Sequence, residues 1–122
     1  MSKIENFEEL ECWKSAKDLT IQIYSICNNE SLKMEFTAKD QLKRAALSSM
    51  NNIAEGFGRF SNKESIRFYN ISTASLDEVH SMLLLYTELG FIELAQRDRA
   101  VETLKKAKHQ TLAFIKYLNA KL

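Results

Sequence analysis

The chain has no proline, and glycine only at Gly56, Gly58 and Gly90. In 122 residues that leaves few places where the backbone can turn tightly. Strand-rich folds need many such turns, whereas long helices need few. An all-α fold follows, and the length suits one domain spanning residues 1–122. The stretch Gln41–Arg67 (QLKRAALSSMNNIAEGFGRFSNKESIR) holds two of the three glycines and organises the rest.

As a helix at ~100° per residue, Gln41, Arg44, Ser48, Asn52, Glu55 and Arg59 fall in one polar row. Beside it runs a face of Leu42, Ala45, Ala46, Ser49, Ile53, Gly56 and Phe57, whose small members let another helix come close. A polar row next to such a face suggests hydrogen bonds partly buried in a packing seam. Spacing alone is read more simply as a solvated flank, with Glu55–Arg59 an ordinary i,i+4 pair. The sharper expectation is a structural hydrogen-bonded cluster of Asn52, Glu55 and Arg59 at the helix end, with Gly56 serving close packing. Gly56-Phe57-Gly58 is no nucleotide loop, because no strand precedes it and no Lys-Ser/Thr follows.

The motif Asn52-Ile53-Ala54-Glu55-Gly56-Phe57-Gly58-Arg59 follows Gln41-x-x-Arg44-Ala45-Ala46-x-Ser48 and precedes Ser61-x-Lys63-Glu64. Together they resemble the family named after the protein encoded in intervening sequences of bacterial 23S rRNA genes. Arg67-Phe68, Ser75-Leu76-x-Glu78 and Phe7, Leu10, Trp13 and Ala16 extend the resemblance over nearly the whole chain. The family usually has Ala-x-Gly-Ser where this chain has Ser72-Thr73-Ala74-Ser75. The resemblance implies an antiparallel up-and-down four-helix bundle, commonly a homopentamer, with no established enzymatic activity. A related branch, the accessory proteins of diversity-generating retroelements, implies nucleic acid and a reverse transcriptase as possible partners.

Periodicity places the first helix at about Glu9–Asn28, followed by a linker from Asn29 to Phe36. Leu10, Trp13, Ala16, Thr20, Ile23, Tyr24 and Cys27 form its inner side. Thr37 is the expected N-cap of the second helix, which Gly58 ends. Ser61-Asn62-Lys63-Glu64 reads as a capping box opening the third helix, which runs to Leu89 with Gly90 at its end. A loop this short makes the second and third helices antiparallel neighbours. The fourth helix is expected from about Gln96 to Ala120. The third helix is apolar over a wide arc that includes Ile66, Phe68, Tyr69, Ile71, Leu76, Val79, Met82, Leu83, Leu84, Leu85 and Tyr86. A single bundle has limited interior to cover it, which points to burial between copies, and the resemblance implies that these copies form a ring-like homo-oligomer.

Chemistry-bearing constellations are missing from the spacing. Di-iron bundles need two Glu-x-x-His motifs, and only Asp77-x-x-His80 comes near. Cys12 and Cys27 lie fifteen positions apart on one helix, which at ~1.5 Å per residue is about 22 Å, too far for a disulfide. No catalytic residue, cofactor or metal is therefore expected. Neither a signal peptide nor a membrane span is read from the sequence, so a cytoplasmic location is expected, with no membrane partner.

Charge is segmented although the net charge is only +1. Residues 1–36 carry four basic and seven acidic groups, and residues 37–67 carry six and three. Residues 68–93 carry none and four, and residues 94–122 carry seven and two. The second and fourth helices are thus basic and the first and third acidic. Complementary charge on solvated faces is the simple account. The functional one is a weak basic patch repeated by symmetry, which would bind a phosphate backbone with avidity. The candidates are Lys39, Lys43, Arg44, Lys63, Arg67, Arg97, Arg99, Lys105, Lys106 and Lys108. No exposed aromatic ladder for base stacking is expected, so binding to RNA or DNA would show little sequence preference. A protein-interaction scaffold, or an accessory subunit that does not itself touch nucleic acid, is the alternative.

Overall fold

A computed structural model of the protein describes residues 4–122, which form helices joined by short turns, with no strand among them. After a 3-10 turn at Phe7–Glu9 come α1 (Glu11–Ile26), α2 (Glu30–Lys33), α3 (Phe36–Phe57), α4 (Asn62–Glu88) and α5 (Leu94–Asn119). The four long helices pack in the cyclic order α1–α3–α4–α5, so α1 and α4 lie across one diagonal and α3 and α5 across the other.

Paired residues run in opposite senses along each neighbouring pair of helices. Between α1 and α5, Ser15 bonds Gln110 and Gln22 bonds Thr103. Between α3 and α4, Tyr86 reaches Ala38 while Ser72 reaches Ser49. Thr20 of α1 donates to the Ala46 carbonyl and Lys43 lies over Tyr24, while Asp77 of α4 meets Lys108 and Tyr69 meets Phe114. Every neighbour is antiparallel, giving the up-and-down helical bundle that the short loops anticipate.

Helix boundaries depart from the sequence pattern where a local competitor wins. The first helix starts at Glu11, because Glu9 turns back to accept from the Glu5 and Asn6 amides at 3.0 Å and holds a 3-10 turn. The linker is not wholly irregular: Glu30–Lys33 makes one helical turn that buries Leu32 completely. That anchor brings the chain round early, so α3 starts at Phe36 with Glu35 at its cap. Thr37 is therefore not the N-cap but an exposed residue of the first turn.

Ser61 does cap α4, accepting from the Glu64 amide at 3.2 Å. At the other end Gly90 adopts φ 82°, a region costly for any side-chain-bearing residue. There the Phe91 amide reaches the Tyr86 carbonyl at 2.9 Å and the Gly90 amide reaches that of Thr87 at 3.1 Å. The fourth long helix begins at Leu94, two residues earlier than the pattern suggests, because Glu93 caps it and donates its backbone amide at 3.3 Å to the side chain of Gln96. Its amide and that of Asn29 bond each other reciprocally at 2.7 and 3.1 Å, tying the end of α1 to the start of α5.

Two buried clusters fill the interior. One holds Leu19, Ile23, Leu32, Leu42, Leu76, Val79, Leu83 and Leu104, and the other holds Ala16, Ile53, Tyr69 and Ile115. The wide arc of the third predicted helix divides between them and solvent. Tyr69, Leu76, Val79 and Leu83 are inside, whereas Ile71, Leu84 and Leu85 are left exposed.

Candidate nucleic-acid interface

The seam between α3 and α4 explains the polar row first. Ser48 and Ser75 share a hydrogen bond of 2.8 Å, and the Asn52 amide donates to the Ser48 carbonyl at 2.8 Å and to its hydroxyl at 3.1 Å. Ser72, within the segment that departs from the family pattern, is fully buried and donates to the Ser49 carbonyl at 2.6 Å. No buried side-chain polar atom among the described residues lacks a partner. The Asn52–Glu55–Arg59 cluster is not one network. Asn52 belongs to the serine seam, while Arg59 pairs with the exposed Glu55 carboxylate, bonds its carbonyl at 3.1 Å and lies 4.4 Å from the Phe68 ring centre.

Gly56 sits in a tight contact between α3 and α4. A Cβ there would lie 2.8 Å from the Tyr69 ring, 3.0 Å from Phe68 Cβ and 3.1 Å from the Ser65 carbonyl oxygen. The glycine in the motif is thus a contact requirement, not a turn.

The basic candidates do not form one patch. Lys39 and Lys43 sit on α3 toward α1, and Arg44, on the outer side of α3, is neutralised by Asp40 at 2.8 Å. Lys63 and Arg67 are exposed at the opposite end of the bundle, on the first turns of α4. The remainder lie on α5, diagonal to α3. There Arg97 pairs with Asp98, and Lys108 with Asp77 at 2.6 Å. Arg99, Lys105 and Lys106 are exposed and have no carboxylate within ion-pair distance among the described residues. Lys116, absent from the candidate set, is also exposed on this helix without a carboxylate within ion-pair distance among the described residues.

Among the described residues, exposed aromatic rings include a set that the periodicity of single helices did not reveal. Along the groove between α1 and α3, Lys17, Lys43 and Lys39 lie 5.6, 4.7 and 5.2 Å from the ring centres of Trp13, Tyr24 and Phe36. Tyr24, assigned to the inner side of the first helix, is exposed. Residue 36 was read as linker, and its ring too is exposed.

Cys12 and Cys27 are free, buried thiols, and burial pushes both pKa values up, away from the reactive thiolate. Burial likewise pushes the Tyr69 phenol well above its ordinary range. No group of three or more His, Cys, Asp or Glu side chains among the described residues is arranged to hold a metal ion. None of the described helices is long and apolar enough to cross a membrane.

The model of the 23S rRNA-intervening sequence protein family matches residues 8–113. The chain belongs to that family. A crystal structure of a protein of unknown function from the S23 ribosomal protein family of Bacteroides thetaiotaomicron shares the fold, with a TM-score of 0.79 at 21% identity. The match covers 86% of this chain and 98% of that one. No curated protein matches the sequence. The match to the 23S rRNA-intervening sequence family spans the segment around Gly56, where α3 and α4 pack tightly.

Proposed function

We propose that this protein is a non-enzymatic homo-oligomer, pentameric as the family resemblance implies, that binds RNA or DNA through phosphate contacts with little sequence preference. The observation that carries this reading is the outer face of α5, where Arg99, Lys105, Lys106 and Lys116 stand exposed around an acidic residue, Glu102, with no carboxylate within ion-pair distance among the described residues. An unpaired cation on a rigid helix is ready to replace a condensed counterion on a phosphate backbone. Each copy offers only a few such groups, so useful affinity requires several copies presented together. Lys108, held by Asp77, and Arg44, held by Asp40, contribute less than their charge suggests.

Fluorescence-anisotropy titration of unrelated RNA and DNA oligonucleotides at several salt concentrations tests this reading. Affinity should fall by about 10³–10⁵ between 50 and 200 mM salt if roughly six to ten phosphates are contacted by the assembly. Changing Arg99, Lys105 and Lys106 to Glu should weaken binding to every sequence alike, because phosphate contacts carry no base information. Absence of binding at 50 mM salt would favour the scaffold or accessory-subunit reading, with a protein partner such as a reverse transcriptase.

A further inference from the structure

Two of the apolar surfaces that the bundle leaves uncovered among the described residues carry opposite charge. In the groove between α1 and α3, Ile21 is 61% exposed, with Tyr24, Leu47 and Met50 beside it. Its rim carries Lys17, Lys39 and Lys43, which rest on aromatic rings and meet no carboxylate among the described residues. On α4, Ile71, Glu78 and Leu85 follow at steps of seven and so line up along one ridge, drifting by only ~20° per step. Leu85 is 51% exposed and Leu89, one turn on, 55%. The ridge lacks cations, since residues 68–93 contain no Lys or Arg. Glu78 is exposed on it, without an ion-pair partner among the described residues.

We infer that the ridge of α4 docks into the α1/α3 groove of a second copy of this chain. Resting on the homo-oligomer half of the proposed function, this assigns the surfaces through which copies meet. The apolar knobs Ile71 and Leu85 find an apolar trough, and Glu78 comes to lysines whose own fold gives them only rings. The two surfaces differ, so the contact is heterologous, and each copy has one of each to offer.

Geometry limits how such a contact closes. The ridge leans toward α3, because Ile71 neighbours Ser75, which shares a hydrogen bond with Ser48 of α3, and Phe68, whose ring meets Arg59 just beyond the end of α3. In a four-cornered bundle the α1/α3 edge and this part of α4 face roughly 90–135° apart, so repetition closes after roughly four to eight copies. The outer face of α5 is used by neither surface and stays open. Lys39 and Lys43 then leave the nucleic-acid set and belong to the self-contact.

Light scattering at about 10 µM on the full chain tests the assignment by charge exchange, with circular dichroism confirming the helical fold. The wild type should be a multiple of the 14.1 kDa subunit. Lys17→Glu with Lys43→Glu should dissociate it by at least tenfold in concentration, and Glu78→Lys should do the same. All three changes in one chain should restore the assembly, because each contact regains an opposite pair. A single 14.1 kDa wild-type particle would overturn both the homo-oligomer and these surfaces. An oligomer indifferent to every charge reversal, or not restored by the triple change, would overturn the surfaces alone. Weakened RNA binding with unchanged mass would give the groove to nucleic acid and also overturn the proposal. Leu47→Cys with Leu85→Cys offers a readout independent of charge, the native thiols being buried. Oxidation should give intermolecular disulfide-linked multimers, and an oligomer that yields none would count against the docking.

Discussion

Gly56→Ala isolates the contact at the centre of the family motif. Two effects oppose each other. Alanine in a helix interior is favoured over glycine by about 1 kcal/mol. Against that, its methyl would sit 2.8 Å from the Tyr69 ring, where carbon atoms ordinarily keep about 3.5–4.0 Å. Relief by side-chain motion is blocked. Tyr69 is 1% exposed and packs on Phe114 at 5.3 Å between ring centres. The next contacts, Phe68 Cβ at 3.0 Å and the Ser65 carbonyl at 3.1 Å, are fixed to the α4 backbone. The helices must therefore part, and overpacking of this kind costs typically 1–3 kcal/mol. The backbone contact puts Gly56 in the upper part of that range, for a net loss of about 1–2 kcal/mol after the propensity gain. Urea unfolding followed by circular dichroism, at one fixed protein concentration, should show the midpoint lowered by about 0.5–1 M with the slope unchanged. Gly58→Ala is the control: a Cβ there meets nothing within 4 Å and φ is −91°, so stability should hold or rise slightly. Gly56→Ala as stable as the wild type would refute the close-contact account of the motif.

Glu55→Ala should cost no more than a few tenths of a kcal/mol in urea unfolding, because the Glu55–Arg59 pair is exposed and spaced i,i+4. Ser72→Ala should cost about 1 kcal/mol, the usual net value of a buried hydrogen bond such as its 2.6 Å bond to the Ser49 carbonyl. Alkylation of Cys12 and Cys27 by a small thiol reagent should be at least about tenfold slower than for a free thiol at pH 8 and should speed up on unfolding, since burial raises both pKa values. The amides of Asn6 and Glu5 hold the Glu9 carboxyl below its ordinary pKa, so the N-terminal turn gains stability above the usual glutamate range and loses it as pH falls through the folded value. Amide exchange at Asn6 should therefore lose its protection, after correction for the intrinsic rate, as pH falls from neutral through the folded value of Glu9.

Periodicity and the scarcity of turn residues were enough to place four long helices and their antiparallel order, because both depend on interactions within a few residues of each other. Gly90 as a helix end and Ser61 as a cap were legible for the same reason. Thr37 was misread because the true start of α3 is set by Leu32, whose burial among distant residues no local pattern encodes. The motif residues Asn52, Glu55 and Arg59 look alike in spacing, yet only the approach of α4 separates Asn52, bonded into the serine seam, from the solvent-facing ion pair. Segment charge correctly marked α3 and α5 as basic, but charge counts carry no direction. Only tertiary packing puts those helices across a diagonal, hands Asp77 to Lys108, and leaves Arg99, Lys105 and Lys106 exposed on an outer face with no ion pair among the described residues. Helix formation is decided by neighbours along the chain, whereas the pairing of charges and the exposure of Ile21 and Leu85 depend on which helices meet in space.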